Sequence, residues 1–158
     1  ELESAGLVVR EREEGRREVW YRLTPRGEAL RPVVGALNAW GMQHAMRPML
    51  PGERILPARL ARSFVSYLNT TGVRAGRPLG WRLDFAGDEQ DLWFDGELWT
   101  RHRIEHPAMV IRTDTGRWAA LLTHTPDSPG IDECVALEGE AEEIGRFRAT
   151  MERILRPA

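Results

Sequence analysis

The sequence contains no lysine: all 22 basic residues are arginine. That absence points to a GC-rich genome before it points to a function, although arginine is also the better clamp for phosphate. Cysteine is nearly absent too. The single Cys134 has no internal partner, which excludes a disulfide-stapled secreted scaffold and fits a reducing compartment. No run approaches the roughly 18 apolar residues of a membrane helix, and no basic-then-apolar signal segment opens the chain. A cytoplasmic setting without a membrane partner is therefore expected. Also missing are a Gly-x-Ser-x-Gly elbow, a phosphate-binding loop and a dinucleotide fingerprint. Accordingly no enzyme activity and no cofactor are expected.

What is present is an ordinary globular composition, 42% hydrophobic and 29% charged over 158 residues. That suffices for one large domain or two small ones. The net charge of −2 conceals a split. Residues 1–62 carry 11 arginines against 8 acids, whereas residues 63–158 carry 11 against 16. Two modules with different partners are the simplest account.

Glu1–Gly6 reads as the last turn of a helix closed by glycine, so an upstream element is expected. Leu7–Arg12 and Glu18–Leu23 read as a β-hairpin with a charged tip at residues 13–17. Thr24-Pro25 starts a helix, along which Leu30, Val33, Leu37, Trp40 and His44 recur at helical spacing. Pro32 should kink it. Residues 57–69 read as a second helix. Strands are expected over 79–86, 90–94, 98–104, 108–112 and 134–137, with Asp95-Gly96 as a hairpin turn. Asp114 or Thr113 caps a helix bearing Trp118, Leu121 and Leu122, and a last helix runs over about 140–156. The fold class is α+β.

Arg12, Arg16 and Arg17 are the candidate DNA contacts, because guanidiniums at an exposed hairpin reach phosphates or a minor groove. Glu11, Glu13, Glu14 and Glu18 make a solvated charged turn the alternative. His102-x-x-x-His106 lies in an extended context before Pro107, and His124, Asp127, Asp132 and Cys134 match no metal spacing, so no metal is expected. Nothing nearby lowers the Cys134 pKa. Trp81, Phe85, Phe94, Trp99, Trp118, Leu121 and Phe147 are the candidate ligand residues: aromatic and Leu side chains between sheet and helices can line an apolar pocket. The competing reading is that they fill the core.

Two resemblances follow. Leu2-Glu3-Ser4-Ala5-Gly6-Leu7-Val8, Tyr21-Arg22-Leu23-Thr24-Pro25-Arg26-Gly27 and Leu30-x-Pro32-Val33-x-x-Ala36-Leu37-x-x-Trp40-Gly41 resemble the HxlR-type winged-helix transcriptional regulators. The resemblance implies a wing over residues 8–23. It also implies a dimerisation helix over 25–46 with Leu30, Val33, Leu37 and Trp40 at a homodimer interface, and a helix-turn-helix upstream of Leu2. Farther on, Trp81-x-Leu83-x-Phe85, Leu92-Trp93-Phe94-Asp95-Gly96, Met109-x-Ile111-x-Thr113-Asp114, Leu121-Leu122 and Val135-x-Leu137-x-Gly139 resemble, in their order, the SCP2-like (sterol carrier) domains. Such domains hold apolar ligands between a curved antiparallel sheet and packed helices. The expected organisation is residues 1–50 as part of a winged helix and 51–158 as an SCP2-like domain. Together these imply a bacterial regulator that binds DNA as part of a longer chain and senses an apolar small molecule or lipid. The alternatives are a lipid-binding or dimerisation module without DNA binding, or a small enzyme using His102, His106 or Cys134.

Overall fold

The computed structural model describes residues 1–12, 19–47, 49–123 and 129–155. The chain divides into two compact units, Glu1–Leu37 and Asn38–Ala158.

The first unit opens on a turn around a left-handed glycine. Gly6 takes φ +67°, with Gly6 N–H bonded to the Glu3 carbonyl at 2.9 Å and Leu7 N–H to the Leu2 carbonyl at 3.0 Å. This is the paired-bond pattern that closes helices around a left-handed glycine. Strands β1 (Val8–Arg12) and β2 (Val19–Leu23) pair antiparallel, from Val8 opposite Leu23 to Arg12 opposite Val19. Thr24 then caps α1 (Pro25–Glu28), its hydroxyl oxygen accepting from Gly27 N–H at 3.1 Å. The same hydroxyl donates to the Gly6 carbonyl at 2.6 Å. One side chain thus joins the helix start to the preceding turn.

The long helix expected from residue 25 is broken rather than kinked. It stops at Ala29 and restarts as α2 (Arg31–His44). Pro32 explains the break: it has no N–H to give Glu28, and its ring would strike that carbonyl. At the start of α2 both defects vanish. From Asn38 onward α2 is built into the second unit. Asn38 donates to the Ser63 carbonyl at 2.9 Å and accepts from the Ser63 hydroxyl at 2.5 Å, while Ala39 and Met42 are buried.

The second unit continues with α3 (Pro57–Thr70), β3 (Leu79–Phe85), β4 (Asp88–Phe94), β5 (Trp99–Thr100), β6 (Met109–Thr113), α4 (Thr115–Leu121), α5 (Ile131–Cys134), β7 (Ala136–Gly139) and α6 (Ala141–Leu155). The sheet order is β5-β4-β3-β6-β7. The α+β class holds, but the sheet is not wholly antiparallel, because β3 and β6 run parallel. The cause is the segment 101–108. It returns across one face of the sheet, so that β6 leaves in the same direction as β3. There the Ala108 N–H reaches the Gly80 carbonyl at 2.8 Å.

Two local expectations fail. The strand expected over 98–104 ends at Thr100, since side chains take the backbone groups of Ile104: its N–H goes to Asp91 at 2.9 Å and its carbonyl to Arg82 at 2.7 Å. Cys134 ends α5, and the last strand begins at Ala136. The Asp95-Gly96 turn forms, with the Asp95 carboxylate accepting from Glu97 and Leu98 N–H groups, both at 2.8 Å. A tighter turn, Ala86-Gly87 with φ of +54° and +99°, joins β3 to β4. Two consecutive positive φ values suit the twist of a two-residue hairpin.

Candidate DNA-contact and ligand sites

The candidate DNA element is the β1–β2 hairpin. Arg12 stands at the end of β1; Arg16 and Arg17 lie outside the described residues. Along the hairpin Arg22 pairs with Glu11 at 2.9 Å. Trp20 and Tyr21 are exposed. A paired cation is partly neutralised, so the hairpin shaft offers less free positive charge than its arginine count suggests.

The candidate dimer residues form a stripe on the α2 side. Leu30 is 40% exposed, Val33 63%, Leu37 65% and Trp40 54%. The spacing of three and four residues keeps Val33, Leu37 and Trp40 on one face of α2, and Leu30 stands just before its first residue. Trp40 also lies against His44, ring centroids 5.7 Å apart. These numbers reverse the usual placement of large apolar groups, which leave water when a partner surface is at hand.

The candidate ligand residues all fall in the second unit's interior. Sheet positions Trp81, Phe85, Phe94 and Trp99 and helix positions Trp118, Leu121 and Phe147 are buried. Strand alternation explains the set: Trp81, Leu83 and Phe85 on β3, and Leu92 and Phe94 on β4, share the face toward the helices. The rings touch one another. Trp118 meets Phe85 edge-on at 5.9 Å, Trp81 meets Phe147 edge-on at 6.0 Å, and Trp81 lies 4.5 Å from Trp99. Edge-to-face pairing is the favoured geometry for aromatic rings. The side chains named as candidate ligand contacts are thus buried and pack against one another.

Among the described residues, the buried side-chain polar groups of this interior are bonded, with one exception. Trp81 Nε1 donates to Glu143 at 3.0 Å and Trp99 Nε1 to the Val73 carbonyl at 2.9 Å. Among the described residues, Trp118 Nε1 is buried with no acceptor. An unpaired buried donor costs about 1–3 kcal/mol.

Spacing puts Phe64 on the apolar side of α3 with Leu60, Tyr67 and Leu68, but neither Phe64 nor Glu143 was among the candidate site residues. Phe64 sits among the rings, 5.4 Å from Trp118 and 6.3 Å from Phe147; its place on the apolar stripe of α3 was the signal for it. Glu143 lies in the first turn of α6, where an acid suits the helix dipole, yet it is 1% exposed.

The candidate chemistry residues are scattered. His102 leans on Trp93 at 5.5 Å. Cys134 is buried; burial foremost, with Glu133 beside it, pushes its thiol pKa up. A protonated thiol is a poor nucleophile. Among the described residues no group of three metal-capable side chains converges; His124 and Asp127 lie outside them. No described helix is long and apolar enough to cross a membrane.

Comparison with known proteins adds the following. Residues 1–49 match the family model of the HxlR-like helix-turn-helix. No curated protein matches. Among solved structures, the chain is similar to a UbiJ-SCP2 ubiquinone synthesis protein, with 11% identity and a TM-score of 0.44 over 61% of this chain and 96% of that one. It is also similar to part of a double mutant of the sec-alkyl sulfatase PisA1, with 16% identity and a TM-score of 0.46 over 61% of this chain and 16% of that one. The stereoselective inverting sec-alkylsulfatase Pisa1 from Pseudomonas sp. gives 17% identity and a TM-score of 0.38 over 56% and 16%. The chain thus spans 16% of the length of each sulfatase.

Proposed function

We propose that the chain belongs to a DNA-binding transcriptional regulator that acts as a homodimer and responds to a small molecule, without catalysing a reaction. The match of residues 1–49 to the HxlR-like helix-turn-helix carries this reading. The hairpin is its wing, with Arg12, Arg16 and Arg17 as auxiliary phosphate or groove contacts. The exposed stripe of Leu30, Val33, Leu37 and Trp40 is its dimer face, which a twofold-related copy would cover. The second unit is its sensor, of the SCP2-like kind, operating in the cytoplasm.

The unpaired Trp118 N–H supports the sensor part and narrows it. A largely apolar molecule with one hydrogen-bond acceptor would satisfy that donor on displacing neighbouring rings. Such a ligand shifts DNA affinity only by binding one conformation better than another. The test is tryptophan fluorescence of the chain titrated with a series of fatty acids and long-chain ketones, repeated on Trp118→Phe. Saturable quenching that weakens in the variant supports the sensor. An interior that admits none of them contradicts it.

The close ring packing favours a second reading, in which this unit is a ligand-free dimerisation or packing module. A closed core then leaves Trp118→Phe neutral or slightly stabilising, because it removes an unpaired donor at nearly constant shape.

A further inference from the structure

The sheet has a second face, opposite the aromatic interior, and it is polar. Arg82, Asp84, Glu89, Asp91, Arg112 and Glu138 alternate onto it by strand period. Segment 101–108 straps across it. The strap is fastened at Ile104, which is 8% exposed and bonded through its backbone to Arg82 and Asp91. β5 pairs only with Trp93 and Phe94 of β4. Beyond that point the edge of β4 has no strand partner among the described residues, and a cavity of about 440 Å³ opens between Glu89–Asp91 and Arg101–Arg103. That is within the usual size of small-molecule sites, roughly 300–1,000 Å³.

The lining groups differ in how far their charge is already used. Asp91 is taken up by Arg82, at 2.7 and 3.0 Å, and by Ile104 N–H. Glu89 lies 3.4 Å from the same guanidinium. Arg101 donates to the Gln90 amide oxygen at 2.6 Å and so has other N–H groups to give. Arg103 makes no hydrogen bond or ion pair among the described residues, although its charge acts on Asp91. His102 adds an imidazole whose ring is steadied against Trp93. The unspent donors therefore belong to Arg101, His102 and Arg103, three successive residues of the strap.

We propose that this strap cavity binds a small oxyanion-bearing molecule, a carboxylate or a phosphate, through Arg103, Arg101 and His102. Two guanidiniums, two residues apart on the strap, offer the forked donors that match either oxyanion. Glu89, which also lines the cavity, limits the total negative charge it accepts. The site is separate from the aromatic interior, so either can fail without the other.

The experiment is an NMR titration of the full chain at constant ionic strength, with inorganic phosphate in one arm and benzoate in the other. Saturable shifts at residues 89–91 and 101–103 are expected with at least one of the two. Arg103→Ala should weaken that binding about tenfold, a loss typical of one charge-assisted bond. Glu89→Gln should strengthen it several-fold. Arg59→Ala, an exposed arginine elsewhere on the second unit, should leave it unchanged. Shifts that never saturate, that spread over all arginines, or that survive Arg103→Ala with equal affinity would overturn the proposal. The preferred arm tells a carboxylate site from a phosphate site.

Discussion

Trp81 and Glu143, 62 positions apart in sequence, meet inside the second unit through a 3.0 Å hydrogen bond from the indole N–H to the carboxylate. It fixes the first turn of α6 against the middle of β3. Arg146, 3.4 Å from Glu143 and with its side chain 23% exposed, shares the charge. Removing one partner strands the other in a dry interior. Glu143→Ala should therefore lower unfolding free energy by about 3 kcal/mol, combining a lost acceptor with a small cavity. Glu143→Gln, which keeps an acceptor oxygen, should cost about 1 kcal/mol. Urea denaturation followed by tryptophan fluorescence measures both; equal effects would show that the hydrogen bond is not what matters.

Asp91 predicts how stability depends on pH. Burial works to raise its pKa, but the Arg82 guanidinium and the Ile104 N–H outweigh it and hold the carboxyl below its ordinary value. A carboxylate with a lowered native pKa stabilises the fold fully above the unfolded value near ~4 and loses that contribution as pH falls through the native value. Asp91→Asn should cost about 2–3 kcal/mol at pH 7 by removing the bidentate partner of the part-buried Arg82, which among the described residues keeps only Glu89, at 3.4 Å, as an ion-pair partner. The gap between the two proteins should narrow below about pH 4. A gap of constant size from pH 3 to pH 7 would exclude the ion pair as its source.

Gly139 is the stop of β7. Its φ is +145°, and a Cβ there would lie 2.3 Å from the Ala108 carbonyl oxygen. Neither the backbone angle nor the contact can be relieved by turning a side chain. Gly139→Ala should cost about 3 kcal/mol or more, within the range of severe single substitutions, and lower the melting temperature accordingly. In the first unit Gly27 is constrained by contact alone: a Cβ would lie 2.1 Å from the Leu7 carbonyl oxygen, so Gly27→Ala should open the base of the hairpin.

These close approaches mark where the sequence stops being informative. Thr24-Pro25, the hairpin strands and the α3 and α6 stripes depend on neighbours a few residues away, and they are legible from spacing. The parallel β3–β6 pair is not, because its direction is set by a strap fastened through Arg82 and Asp91, residues that look like ordinary exposed alternation on a strand. Glu143 hides in the same way, its burial being decided by Trp81 on a distant strand. The seven aromatic and Leu positions were recognisable as a group. Whether such a group lines a space or fills it depends on side-chain packing that composition does not encode.

The exposed stripe on α2 gives the oligomer prediction. Leu37→Glu with Trp40→Glu places two carboxylates on that face without touching Ala39 or Met42, which are buried. Sedimentation should show a dimer becoming a monomer, with the far-ultraviolet spectrum retained. A wild-type chain that is monomeric at high micromolar concentration would remove the dimer face.

The most direct measurement concerns DNA. The complete gene product is titrated by fluorescence anisotropy against a duplex from its own upstream region and against an unrelated duplex, over a range of salt. The upstream duplex should bind about a thousandfold tighter or better, with affinity falling as salt rises. Arg16→Ala with Arg17→Ala should flatten that salt slope through loss of phosphate contacts. Equal affinity for both duplexes, or no binding to either at low salt, would contradict a role in DNA recognition.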